Sequence, residues 1–127
     1  MRTILIQLRI IVKPAAGYPA LVLVVSRFRV PVEEGETFRA DLAAACDVLA
    51  GRPGHVEGRV GRNLDDPTLW VLTTRWENVG AYRRALSAYD VKLHAVPLLS
   101  RAIDEPSAYE VVEPGTVLNT GSPRSLG

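Results

Sequence analysis

Five polar or polar-tipped side chains stand out in this sequence because they interrupt apolar stretches. Ser26 breaks an alternating run of valines, and Thr74 and Trp76 close a second alternating run. Tyr82 and His94 follow in segments with helical spacing. An imidazole can act as a general base, while hydroxyl and indole groups can donate hydrogen bonds to a developing negative charge. Together these residues indicate a small-molecule pocket, which is usually apolar with a few placed polar groups.

Each of these residues also has a purely structural interpretation. Trp76 and Tyr82 could be core aromatics whose polar tips are satisfied within the fold. His94 could be a helix histidine and Ser26 a small residue that fills space in a strand. The residue types alone leave both interpretations open.

Other chemistries find little support in the residues. The two histidines, His55 and His94, lie on different predicted elements, and the single cysteine, Cys46, cannot build a thiolate metal site alone, so we expect no metal. The pair Asp65-Asp66 precedes a proline and is explained as a turn. The second and third strands lack the basic and aromatic run of RNA-binding modules, so no nucleic-acid partner is expected.

Composition indicates one ordinary globular domain. The chain has 127 residues, of which 47% are hydrophobic and 23% charged, and its net charge of +1 gives no bulk attraction to nucleic acid or to an anionic membrane. We expect an N-terminal extension over residues 1–19, one domain over residues 20–113 and a flexible tail over residues 114–127. No apolar run predicts a membrane span, and the cytoplasm is the expected location.

The elements that must position the polar groups follow a recognisable order. Hydrophobic patterns predict a strand over residues 20–30, a helix ending at Gly51, strands over 55–62 and 68–77, helical segments after Asn78 and from Tyr89, and a strand over 108–112. Pro97 must bend or restart the last helical segment. This order predicts a ferredoxin-like split βαβ arrangement, an α+β fold whose antiparallel sheet carries helices on one face.

Both faces of the predicted sheet are apolar. In the first strand Leu23 and Val25 point one way while Val22 and Val24 point the other, and the third strand alternates similarly. Helices cover only one face, so we expect a second copy of the chain to cover the other in a two-fold homodimer.

Three segments resemble the antibiotic biosynthesis monooxygenase family. They are the first strand from Leu23 to Val30, the Arg52-Pro53-Gly54-His55-Val56 run, and Thr73-Thr74-Arg75-Trp76-Glu77-Asn78 followed by Ala81-Tyr82-Arg83. The resemblance covers roughly residues 20–113. It implies a dimeric α+β barrel of ferredoxin-like subunits, in agreement with the dimer expected from the two-faced strands.

The resemblance also implies an activity. One branch of the family oxidises aromatic polyketide intermediates with O2 and without metal or flavin, and Trp76 and Tyr82 match its tryptophan and tyrosine. Leu72 stands where that branch has an asparagine. A second branch binds and degrades haem, and His94 is similar to its histidine, while Ser26 replaces its asparagine.

These considerations predict a cofactor-independent monooxygenase-like protein that acts on a small aromatic or quinol. Trp76, Tyr82 and His94 are the predicted catalytic residues, and the predicted substrate-binding residues are Ser26, Phe28, Leu72 and Thr74. The alternative is a non-catalytic dimer that binds a small ligand, with haem held by His94 as one form of it.

Overall fold

The computed structural model describes residues 21–118 together with residues 120 and 121. The expected extension over residues 1–19 lies outside the described residues, as does most of the tail after Leu118. Where the expected domain meets that tail, Glu113 and Thr116 form a hydrogen-bonded turn. The division into extension, domain and tail stays a prediction.

The described chain folds into four strands and four α-helices. The strands are β1 (Val22–Arg29), β2 (His55–Arg62), β3 (Leu69–Trp76) and β4 (Ala108–Glu110). The helices are α1 (Gly35–Ala50), α2 (Val79–Ser87), α3 (Tyr89–His94) and α4 (Val96–Leu99), and a short 3-10 turn precedes α1. None of the helices in the described ranges is long and apolar enough to cross a membrane.

The sheet is antiparallel, with strand order β2-β3-β1-β4. This is the order of a ferredoxin-like fold, and it confirms the predicted fold class. The expected break at Pro97 is also present, since α3 ends at His94 and α4 begins at Val96.

One face of the sheet and the inner sides of the helices form the hydrophobic core. Helix α1 presents an apolar strip with helical spacing, Phe38, Leu42, Ala45 and Leu49, all buried. Phe38 packs between Phe28 and Trp70, with ring centroids 5.2 and 5.4 Å away. The sheet side of the core consists of Val22, Val24, Phe28, Trp70, Leu72 and Trp76.

Local sequence signals fix the connections between elements. Asn78 caps α2 by accepting a 2.8 Å hydrogen bond from the backbone N–H of Ala81. In the β2–β3 turn, the Asn63 side chain accepts hydrogen bonds from the N–H groups of Asp65 and Asp66. Hydrogen bonds from Thr68 and Arg29 lower the pKa of Asp66 to about 2. Asp65 and Asp66 therefore shape a turn, as the sequence predicts.

The opposite face of the sheet carries no helix. Leu23, Val25, Leu69 and Val71 lie on it and are only partly buried, because the helices all pack on the other side. Tyr109, which pairs with Leu23, is 51% exposed. This surface is referred to below as the open face.

Candidate functional site

A cavity of about 530 Å³ lies between the helix-covered face of the sheet and the helices. Its floor is formed by β1 and β3, and its sides by α2, α3, α4 and the segment that leads from α4 to β4. The apolar part of its wall includes Val24, Leu49, Leu72, Leu86, Val96, Leu99, Ala102 and Ile103. A cavity of this size and character suits a small aromatic molecule.

Four of the residues predicted from the sequence line this cavity together. Ser26 and Leu72 are cross-strand partners on β1 and β3, and Thr74 follows on the same face of β3. Tyr82 reaches the cavity from α2, the helix that Asn78 caps. The strand period of two and the helix cap therefore bring these side chains to one place.

Tyr82 is the titratable hydroxyl of the cavity. Burial raises the pKa of its phenol, and a hydrogen bond with the Ser107 side chain opposes that shift. The net direction is upward from a value near 10, so Tyr82 is protonated at neutral pH and can donate a hydrogen bond.

Trp76 lies beneath the cavity rather than on its wall. Its side chain is fully buried, and its indole N–H donates a 2.9 Å hydrogen bond to Oγ1 of Thr74. Tyr82 packs against the indole at 5.8 Å between ring centroids, and His55 packs edge-on at 5.1 Å. Trp76 is thus a buried aromatic whose polar tip is bonded within the fold, and its catalytic role stays a prediction.

Two further predicted site residues, besides Trp76, do not line the cavity. Phe28 is 1% exposed and belongs to the aromatic core around Phe38, so its side chain lies away from the cavity wall. His94 is exposed and lines a separate, shallow depression of about 330 Å³ beside Asp41 on α1 and Arg101. The buried strip of α3 and α4 is Val91, Ala95 and Leu98, and His94 lies at its margin.

The position of His94 bears on the haem alternative. The walls of the 530 Å³ cavity, in the part of the chain that the structure describes, include no histidine, cysteine or methionine. His94 faces the shallow depression instead. The residues present thus do not fit a haem held by His94 in the cavity. Residues 21–118, 120 and 121 also contain no group of three or more His, Cys, Asp or Glu side chains that could hold a metal ion.

The polar wall residues Glu105, Ser107, Ser100 and Lys92 were not predicted from the sequence. The first three lie in or beside the α4–β4 segment, and Lys92 lies on α3. Glu105 lines the cavity and forms two 2.7 Å hydrogen bonds with the guanidinium of Arg27. That pairing lowers the pKa of the Glu105 carboxyl, which is therefore ionised at neutral pH. Ser107, Ser100 and Lys92 also line the cavity. Glu105 lies in a proline-containing loop, and a loop has no hydrophobic periodicity from which its position at the cavity could be predicted.

Of the two charged residues that line the cavity, one has an ion-pair partner and the other has none. The Glu105 carboxylate is neutralised by Arg27, whereas Lys92 forms no ion pair with any residue that the structure describes. Lys92, which is exposed to solvent, is therefore the cationic lining residue without an acidic partner among the described residues. An anionic group on a bound molecule would be favoured by it.

Comparison with known proteins assigns the fold and the family. The model of the family described as antibiotic biosynthesis monooxygenase matches residues 21–94. SnoaB, a cofactor-independent oxygenase from Streptomyces nogalater, is 25% identical, with a TM-score of 0.62 over 74% of this chain and 95% of that chain. No sequence among the curated proteins matches this chain.

Two further solved structures share the fold at lower identity. A conserved protein from Methanosarcina mazei Go1 is 19% identical, with a TM-score of 0.60 over 72% of this chain and 92% of that chain. The protein Rv0793 from Mycobacterium tuberculosis is 15% identical, with a TM-score of 0.60 over 76% of this chain and all of that chain. These two likenesses support the fold alone.

Proposed function

The chain belongs to the antibiotic biosynthesis monooxygenase family, and from this we propose that it is a cofactor-independent oxygenase that oxidises a small aromatic or quinol substrate with O2. The observation that carries the proposal is the apolar cavity with its hydroxyl groups and one uncompensated lysine. The oxygenase SnoaB, which is 25% identical, supports the reaction type.

The reaction that this cavity suits is the conversion of an aromatic methylene or phenol to a quinone. In its anthrone form one CH2 group and one O2 yield one carbonyl group and one water molecule. The substrate binds as an electron-rich anion after releasing a proton to solvent, and it transfers an electron to O2. The resulting radical pair combines to a peroxide anion, which takes up one proton and loses water to leave the carbonyl. The protein has to stabilise the anion and exclude bulk water.

The residues of the cavity supply these two functions. The apolar wall excludes water, and Lys92 favours the anion over the neutral substrate. The protonated hydroxyl of Tyr82 donates a hydrogen bond to a substrate oxygen. We assign no part in this cavity to His94, which lies at the separate depression, or to Phe28, which lies in the core.

Oxygen uptake tests the proposal. We expect the purified protein, freed of metal by chelation, to consume O2 with at least one member of a panel of anthrones, naphthols and quinols. Tyr82→Phe removes the hydroxyl but keeps the ring against Trp76, so uptake should fall at least about tenfold with the fold intact. Tyr89→Phe, which removes a hydroxyl that is exposed on α3, is the matched control and should leave uptake unchanged. No uptake with any panel member would contradict the proposal.

We also propose that the protein is a homodimer in which the open faces of two copies pack together. The partly exposed apolar residues Leu23, Val25, Leu69 and Val71 support this arrangement, since such a patch is typical of an interface.

Light scattering coupled to gel filtration tests the dimer. We expect twice the chain mass of 13.8 kDa for the unmodified protein and the monomer mass for Val71→Glu, because a carboxylate in the centre of an apolar interface is not hydrated. Leu64→Glu places the same charge in the β2–β3 turn, where the side chain is 99% exposed, and should stay dimeric. A monomeric unmodified protein at micromolar concentration would overturn the arrangement.

A further inference from the structure

The hydrogen bond between Trp76 and Thr74 determines what each residue can offer to a ligand. The two residues lie two positions apart on β3, so their side chains share the helix-covered face of the sheet. The indole has one polar hydrogen, and Oγ1 of Thr74 accepts it at 2.9 Å. Trp76 is fully buried, and in this conformation it has no N–H left for a substrate.

Thr74 retains an unused hydrogen-bond donor. A hydroxyl can donate one hydrogen bond and accept two, and the indole N–H occupies one of the acceptor positions. Among the residues that the structure describes, no hydrogen bond is formed by the O–H of Thr74 as a donor. Thr74 is 4% exposed, so this proton is nearly shielded from bulk water. A buried donor is costly to leave unsatisfied, which favours a partner within the cavity.

The orientation of the Thr74 side chain can be judged from its neighbours in the sheet. Thr74 lies between Val24 of β1 and Gly58 of β2 in the sheet register. The methyl group of Thr74 lies toward Gly58, because its Cγ2 atom is 3.8 Å from the position that a Cβ on Gly58 would occupy. The cavity lies on the other side, where β1 contributes Val24 and Ser26. Thr74 lines the cavity, and a methyl group on the β2 side is compatible with a hydroxyl that faces β1.

We propose that the hydroxyl of Thr74, oriented by the indole of Trp76, donates a hydrogen bond to an anionic oxygen of the substrate, a phenolate or enolate. Thr74 is then the residue that contacts the substrate, and Trp76 is a positioning residue that acts through it. The inference deepens the proposed function and rests on it for the substrate class. Lys92, on the same cavity, favours the same anionic form.

Binding of two chromogenic probes tests this assignment without turnover. 4-Nitrophenol binds as a phenolate that accepts hydrogen bonds, whereas 4-nitroanisole has the same shape without the anionic oxygen. We expect Thr74→Val to weaken phenolate binding at least about tenfold, since a hydrogen bond to a charged group is lost. Binding of 4-nitroanisole should change less than about threefold. Thr74→Ser keeps the hydroxyl and should restore phenolate binding.

Two further variants separate positioning from general damage. Trp76→Phe removes the N–H that orients Thr74, so it should reduce the preference for phenolate over anisole while retaining anisole binding. Thr37→Val makes the same hydroxyl-to-methyl change on the exposed side of α1 and should leave both affinities unchanged. Equal loss of both probes in Thr74→Val, or no binding of either probe to the unmodified protein, would overturn the inference.

Oxygen uptake by the same variants distinguishes this inference from the proposed function. A phenolate preference that depends on Thr74, without any O2 uptake, would uphold the hydrogen bond and overturn the oxygenase. O2 uptake that Thr74→Val leaves unchanged would uphold the oxygenase and overturn the role of Thr74.

Discussion

Replacing Trp76 with alanine is expected to lower the free energy of unfolding by about 3–5 kcal/mol. The side chain is fully buried between His55 and Tyr82, and its N–H is bonded to Thr74. The substitution therefore removes a large apolar surface, leaves a cavity and leaves the Thr74 hydroxyl without its donor. Since small domains are stable by only about 5–15 kcal/mol, this loss should be evident as a large shift of the urea midpoint.

A matched substitution separates burial from the loss of an aromatic ring. Tyr89 is 80% exposed on α3, so Tyr89→Ala should change stability by no more than about 0.5 kcal/mol. A loss of less than about 1 kcal/mol in Trp76→Ala would contradict the placement of the indole in the core.

Replacing Gly54 with alanine is expected to cost about 2–4 kcal/mol for two separate reasons. Gly54 has φ of 87°, in the left-handed region that residues with a side chain rarely adopt. A Cβ at this position would also lie 2.4 Å from the Cβ of Ala81, so α2 or the turn before β2 must move. The Gly54 carbonyl accepts a 2.8 Å hydrogen bond from Glu77, and that movement would disturb it. Urea unfolding measures the change.

Gly115 provides the control for the backbone part of this effect. Its φ of 91° is similar, but a Cβ there meets nothing within 4 Å, so Gly115→Ala should cost about 1 kcal/mol. The double variant with Ala81→Gly removes the clash and should be no less stable than Gly54→Ala alone, despite the added glycine in α2. Equal costs at Gly54 and Gly115 would show that the contact with Ala81 is unimportant.

Local signals in the sequence were sufficient to predict most of the fold. The alternation in β1 and β3, the helical spacing of Phe38, Leu42 and Leu49, and the cap at Asn78 each act over a few residues, and each is present in the structure. These patterns can be recognised because burial of one face of a strand or helix spaces the apolar residues with the period of that element. The strand order follows from the succession of elements in a split βαβ unit.

The candidate site was less predictable because its geometry depends on distant parts of the chain. The period of each strand and helix puts four predicted residues on faces that border the same cavity: Ser26, Leu72, Thr74 and Tyr82. Glu105 and Ser107 reach it through a loop without a period, and the partner of Glu105 is 78 positions away. Phe28 continues the same row of β1, but the aromatic rings of Phe38 and Trp70 enclose it. Helical spacing could not predict which side of α3 His94 faces. His94 is the last residue of this helix, and the break at Ala95 determines its direction.

The segment that closes the cavity is attached to the sheet by contacts of very long range. Ile103 and Ser107 each form one backbone hydrogen bond with β1, Arg27 and Glu105 pair across 78 positions, and β4 pairs with only three residues of β1. Contacts of such separation form late in folding because a long loop must close first. We therefore expect the sheet of β1, β2 and β3 with α1 to assemble before the cavity exists. The segment over residues 100–107 and β4 can then exchange their amide hydrogens by local opening, while the central strands stay protected.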